Sequence, residues 1–415
     1  MNQKINFSSF VNPGDSILWS QATAEPLPLT QMLVEQRSSL GGCSVFIGAG
    51  FSDTLQTNHS DWLRMRSFGG LGKNHKLIAT GALKVIPVHA SQLCSMIDNR
   101  KIQCDVAMLQ LSPPGPDGKH SMGIASDYMA SAARSARVVV AEVNSQMPWT
   151  STSDLLDGIH IDKIIYTDRP LIEVTSSTIT DTASKIAKYA AEFINDRCVL
   201  ELGIGTLADS VLSMLTDRKD LGIHSGVISD SILDLVSKGV ITNGHKNIDS
   251  GLITTATLLG TKKLNDFANN NKLLRLRPYS YTHSHEVLAQ IDNFTAINSV
   301  LEVDLTGQVN SQSINGKYIG AIGGIVDFMR GALSSKNGRS IILLPSTSKD
   351  GLTSRIVTKL SNGFVTSESS YADVVVTEWG AAQLRNQPLN ERIKRLIAIA
   401  HPAHRDKLSS SSHLN

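Results

Sequence analysis

Short apolar runs rich in β-branched residues alternate along this chain with stretches of helical pattern, and this alternation limits the possible folds more than any other feature. The runs are Ser44–Gly48, Lys84–Val88, Asp105–Leu111, Arg137–Val143, Ser340–Leu344 and Asp373–Thr377. Most are apolar at successive positions, the pattern of parallel strands covered by helices on both faces. Leu27–Arg37 and Tyr128–Ala136 are long enough for crossover helices. An α/β fold with open sheets is expected. With 415 residues, the chain is long enough for two or three domains. The Thr- and Ser-dominated run Thr175–Ser184 is the expected boundary, giving domains 1–180 and 185–415. Two such halves facing each other would form a cleft, and open α/β sheets bind ligands at the carboxyl ends of their strands.

Charge and cysteine usage narrow the partners. Lys and Arg total 39 against 37 Asp and Glu, with no basic block, which argues against nucleic acid. Cys43, Cys94, Cys104 and Cys198 form no CxxC pair, so they read as reduced thiols of a cytoplasmic protein. His59, His75 and His89 show no metal-binding spacing, and no metal is expected. Met1–Gly14 lacks a signal-peptide pattern, and no apolar run is long enough to span a bilayer.

Four polar or glycine-rich turns stand out in the second half. They are Gly203-Ile-Gly205, His224-Ser-Gly-Val-Ile-Ser-Asp230, Gly323-Gly-Ile-Val-Asp327 and Pro345-Ser-Thr-Ser-Lys-Asp-Gly351. Glycine lets backbone approach a ligand, and helix starts present N–H groups to anions. Any one of them alone reads sooner as a tight turn than as a site. Thr206 is expected to cap a helix after the first, with Asp209 as a weaker capping-box partner. A second helix is expected from Asp230, with Ile232, Leu233, Leu235 and Val236 as its apolar stripe and Gly239 at its end.

Taken together and in order, these segments resemble the acetyl-CoA hydrolase/transferase family. The resemblance also rests on Glu201-Leu-Gly-Ile-Gly-Thr-Leu-Ala-Asp209, Ser237-Lys-Gly-Val-Ile-Thr-Asn243, Val376-Thr-Glu-Trp-Gly-Ala-Ala-Gln-Leu-Arg385, Ile397-Ala-Ile-Ala-His-Pro402 and Gln110-Leu-Ser-Pro-Pro-Gly-Pro-Asp-Gly118. It implies two CoA-transferase-type open-sheet α/β domains in tandem with the active site between them. It further implies an acyl-CoA transferase or hydrolase of acetate or another small carboxylate. Coenzyme A would be a substrate and no cofactor would be tightly bound. Acyl-CoA and a small carboxylic acid would be the partners, and a homodimer is compatible. By the same resemblance Gly203, Gly205, Gly323, Gly324 and Asp327 surround the thioester and its oxyanion. Gln21 and Glu25 lie at the acyl pocket, and Arg330 and Lys349 are set either toward CoA or as ordinary surface charge.

One departure bears on mechanism. The family's nucleophilic glutamate attacks the thioester and passes through a glutamyl-CoA intermediate. Here its position, in Ile223-His-Ser-Gly-Val-Ile-Ser-Asp230, is Gly226, which has no side chain to attack with. A second departure puts His283, in Tyr281-Thr-His-Ser-His-Glu286, where the family tends to carry Asn. A histidine titrating near neutrality would suit direct attack by water as a general base; alternatively, His283 only hydrogen-bonds. Glu302, Asp304 and Glu378 read as turn or paired acids, and Ser225 is a weak nucleophile candidate because His224 would point to the opposite face. Two readings therefore stand: acyl-CoA chemistry without a glutamyl-CoA intermediate, or a non-catalytic CoA-binding or sensor protein on the same scaffold.

Overall fold

The computed structural model describes residues 4–176, 178–360 and 363–411. The chain divides into two compact units. The first comprises Met1–Thr175, Thr254–Thr282 and Tyr318–Gly323, and the second comprises Ser176–Ile253, His283–Lys317 and Gly324–Asn415.

The first unit is built on seven strands: β1 (Ser16–Trp19), β2 (Cys43–Ile47), β3 (Leu63–Ser67), β4 (Leu83–Val85), β5 (Val106–Leu111), β6 (Val138–Asn144) and β7 (Lys163–Thr167). They run in the order β4-β3-β2-β1-β5-β6-β7, and every pairing is parallel. Side chains alternate between two cores. Ile17, Trp19, Val45, Val106 and Met108 enter one, and Leu18, Phe46, Ala107 and Leu109 enter the other. Both faces of the central strands are thus buried, which is why β2, β5 and β6 lack a polar side in the sequence. The run Lys84–Val88 is a strand only as far as Val85, because Pro87 has no N–H to continue a ladder. The predicted crossover helices are α1 (Leu27–Gln36) and α2 (Met129–Ser135).

The second unit carries a six-stranded sheet: β8 (Val199–Leu202), β9 (Gly222–Ile223), β10 (Phe294–Ser299), β11 (Arg339–Leu343), β12 (Val374–Thr377) and β13 (Gly380–Gln383). Its order is β13-β12-β11-β10-β8-β9, parallel except for β13. Around it lie α3 (Asp181–Ala191), α4 (Thr206–Ser213), α5 (Ile232–Ser237), α6 (His285–Gln290) and α7 (Ile325–Ser334). Thr206 does not cap α4. Gly205 holds that position at φ +116° and ψ 177°, a conformation only glycine adopts readily, and Thr206 is the first helical residue. Gly239 ends the α5 turn at φ +70°, as its sequence position predicts. Among the described residues, no helix is long and apolar enough to cross a membrane.

In both sheets the chain leaves a central strand in one direction and returns to its other side. The reversal falls between β1 and β5 in the first unit and between β8 and β10 in the second. Crevices at such reversals, outside the carboxyl ends of the strands, are where open α/β sheets take ligands.

Candidate active-site groups

At the first reversal the chain leaving β1 carries Gln21 and Glu25, and both line a pocket of about 330 Å³ with Trp19, Gly48, Lys73 and Asn74. The structure thus brings the two predicted acyl-pocket residues together within this unit. Gln21 is held at both ends: its Nε2 donates to the Tyr279 hydroxyl at 2.8 Å, and its Oε1 accepts from the Ala49 N–H at 2.9 Å. Gly48 is required here, because a Cβ would lie inside the Gln21 side chain. Glu25 accepts from Thr30 Oγ1 at 2.8 Å. Burial raises its pKa, against the opposing hydrogen bonds of Ser52, Thr30 and Thr54 and the charge of Arg169.

At the second reversal, β8 reads Val-Leu-Glu-Leu and is buried throughout. Glu201 pairs in register with Ala296 of β10, and Asn298, two residues on, donates from Nδ2 to Glu201 Oε2 at 2.6 Å. Loss of hydration pushes the Glu201 carboxyl up to about 8, and the Asn298 and Ile297 hydrogen bonds offset this only in part. Sequence reasoning quoted Glu201 within a motif and missed it as an acid. The available signal was a lone carboxylate in an otherwise apolar strand. Gly203 follows at once. Its N–H already donates to the Ile297 carbonyl at 2.8 Å, so it is not the oxyanion donor expected of it. Its role is close approach: a Cβ would sit 3.3 Å from Asn298 Oδ1.

On the other side of β8, Leu200 pairs with Ile223, which sets His224 beside Glu201. Its ring meets Phe294 edge-on, with centroids 6.3 Å apart. Ser225 takes the opposite face. Its hydroxyl accepts from the Leu202 N–H at 3.1 Å and donates to the Val227 carbonyl at 2.7 Å, a backbone-bracing role.

Gly226 comes next, and the ring of His283 fills the space beside it. A Cβ at Gly226 would stand 2.8 Å from His283 Cε1, 2.9 Å from Nε2 and 3.3 Å from Phe328. A Cβ at Gly324 would stand 2.6 Å from the same Nε2 and 2.9 Å from Phe328. The imidazole therefore lies between two glycines, tilted against Phe328 with centroids 4.5 Å apart. It is 3% exposed. Desolvation, reinforced by His224, lowers its pKa to about 3. The expectation that His283 titrates near neutrality is corrected accordingly: the ring is neutral at pH 7 and a weak base.

Gly324 caps α7, and Asp327 lies buried in that helix's first turn. Gly323, at φ +55°, belongs to the first unit, where its carbonyl accepts from the Ala90 N–H at 2.9 Å. Arg330 and Lys349 are both exposed. The other acids have the bland roles their sequence context suggests. Glu302 accepts from Asn310 at 2.9 Å, Asp304 from the Thr306 and Gln308 N–H groups at 3.0 Å, and Glu378 from the Ser346 N–H at 2.9 Å. The four cysteines are free and buried. Among the described residues, no cluster of His, Cys, Asp and Glu is built to hold a metal ion.

The fold defines an α/β protein of open, largely parallel sheets, each with a reversal of strand order at a central strand. Comparison with known proteins carries the assignment further. Residues 3–180 match the acetyl-CoA hydrolase/transferase N-terminal domain, and residues 260–412 match the corresponding C-terminal domain. The 4-hydroxybutyrate coenzyme A transferase of Clostridium kluyveri is 37% identical over 395 residues, covering 94% of this chain and 92% of that protein. The butyryl-CoA:acetate CoA-transferase of Anaerostipes caccae is 32% identical, covering 96% and 92%. Among solved structures, RipA from Yersinia pestis superposes with a TM-score of 0.90 at 30% identity, covering 97% of this chain and 94% of that one. The chain belongs to the acetyl-CoA hydrolase/transferase family.

Proposed function

We propose that this enzyme cleaves acyl-CoA thioesters by direct attack of water, without a glutamyl-CoA intermediate. One observation carries the reading: the imidazole of His283 occupies the room beside Gly226 that a nucleophilic side chain would need. The glycine is thus matched by a neighbour grown to fill its space, rather than being a simple loss. In this reading water attacks the thioester carbonyl carbon, the C–S bond breaks, and the CoA thiolate takes up a proton as the free acid leaves. Backbone N–H groups at the starts of α4 and α7, at Gly205 and Gly324, stabilise the oxyanion. The neutral His283 orients water or the thioester by hydrogen bonding. Arg330 and Lys349 are set toward CoA. The four free thiols suit a cytoplasmic enzyme.

The test is incubation with acyl-CoA of several chain lengths, with and without a carboxylic acid, following free CoA and exchanged thioester. Free CoA released without an acceptor is expected. Exchange with only a trace of free CoA, or a glutamate trapped by hydroxylamine or borohydride, would overturn the hydrolytic reading. CoA binding without turnover would favour the non-catalytic one.

A further inference from the structure

Direct attack by water needs a group to take its proton, and His283 is poorly suited to that task. With a pKa lowered to about 3, it lies some four units below a neutral operating pH, whereas an effective base is matched to that pH. The second reversal holds a better one. Glu201 sits on β8, one of the two strands at the reversal, and Asn298, on the other, donates to its buried carboxyl. It lies two residues before Gly203, where the lack of a side chain leaves backbone close to Asn298. It shares its face of the sheet with His224 and with the core residues Phe294 and Ala296, against which Phe328 packs.

The geometry points to Glu201, aimed by Asn298, as the general base that takes the proton from the attacking water. This inference rests on the hydrolytic reading above. In the step, a water O–H bond breaks as the new C–O bond forms at the thioester carbon, and the proton moves to the Glu201 carboxylate. As the tetrahedral species collapses the C–S bond breaks. Glu201 then returns its proton to the CoA thiolate, leaving acid, CoA–SH and the starting carboxylate. The burial that raises this carboxyl to about 8 makes its carboxylate a far stronger base than the His283 ring. Of the titratable groups that face this side of the sheet, His224, Lys246, His283 and Asp327 are buried, while His285, Glu286 and Arg330 are exposed. Lys246, whose pKa burial lowers to about 8, donates to the Ile223 and Leu252 carbonyls, so an infrared band of the carboxyl is what separates its titration from that of Glu201.

The experiment measures acyl-CoA hydrolysis across pH for the full-length wild type, Glu201→Gln, Glu201→Asp and Asn298→Ala. Wild-type kcat should rise about tenfold per pH unit below about 8 and then level. Glu201→Gln should lose about 10²-fold or more in kcat with KM little changed, and should lose that pH limb. Glu201→Asp should recover part of the rate. Asn298→Ala removes a donor to the charged form, so the limb should move to higher pH. An isotope-edited infrared band of a protonated carboxyl, lost as pH rises through about 8 and absent in Glu201→Gln, reports the group without relying on turnover. Wild-type turnover and pH dependence retained in Glu201→Gln, or a limb unmoved in Asn298→Ala, overturns the inference alone. A wild type that releases no free CoA from any acyl-CoA overturns the hydrolytic reading and the inference with it.

Discussion

Each unit buries a glutamate inside a strand of its parallel sheet, and the two are answered differently. Glu142, on β6, has a fully buried side chain held by Arg169 through Nε at 2.7 Å and Nη2 at 2.8 Å, with Thr167 adding a third bond at 2.6 Å. Arg169 also reaches the Glu25 carbonyl at 3.0 Å, so the pair ties the loop after β1 to the far side of the sheet. Glu201, on β8, is met by an amide. A forked cation compensates a buried carboxylate in place and makes it a strut. An amide fixes the carboxyl's direction without cancelling its charge, so its protonation stays close to balance near neutral pH. The comparison teaches that the partner, more than burial itself, decides whether a buried acid is structural or poised for chemistry.

The comparison can be broken or sharpened by substitution. The largest effect is expected at the strut. Glu142→Gln strands Arg169 and should cost about 3 kcal/mol, seen in denaturant or thermal melts; a loss under 1 kcal/mol would remove the distinction. Glu201→Gln should act with the opposite sign. The Glu201 pKa stands above its ordinary 4.5, so its contribution to stability is fully present below about pH 4.5 and is lost as pH rises toward 8. Glu201→Gln should therefore be more stable than the wild type at pH 8 and nearly equal to it at pH 4. Melting curves at the two pH values check this, and a variant less stable at pH 8 would contradict it.

Restoring an acid beside His283 sharpens the point further. Gly226→Glu must displace the ring and should cost about 1–3 kcal/mol and most of the turnover. Adding His283→Asn, the residue the family resemblance implies there, should recover stability and give a glutamate that hydroxylamine can trap. A double variant no more stable than Gly226→Glu would show that the two positions are not coupled. The smallest effect is at the first reversal. Thr30→Val removes one bond to Glu25 and should lower stability by about 1 kcal/mol.

The α/β class and five of the six quoted strand runs were legible because residues buried on both faces leave no polar alternation; the sixth, Lys84–Val88, has Lys84 exposed and is a strand only as far as Val85. The strands β1, β3 and β7 were harder to see. β3 alternates buried apolar residues with exposed Arg64 and Arg66, so it lacks a continuous apolar run. In the candidate site, Gly226 and His283 were legible singly, as departures from a pattern. Their direct contact was not, since 57 positions separate them in the chain. The protonation of His283 was misread for the same reason: a sequence offers an ordinary imidazole, and only burial against Phe328 removes its water, with His224 lowering the pKa further through its charge. Glu201 shows the reverse case, an acid whose type is plain in sequence but whose isolation depends on Asn298, nearly a hundred residues further on.

Sequence by itself determined the kind of sheet, the turns that end its strands and the family, because each of these is written in local pattern and residue type. The chemistry of position 226 and of Glu201 was decided only by tertiary structure. Desolvation and close contact depend on which distant strands and helices come to lie together, and no local pattern encodes that.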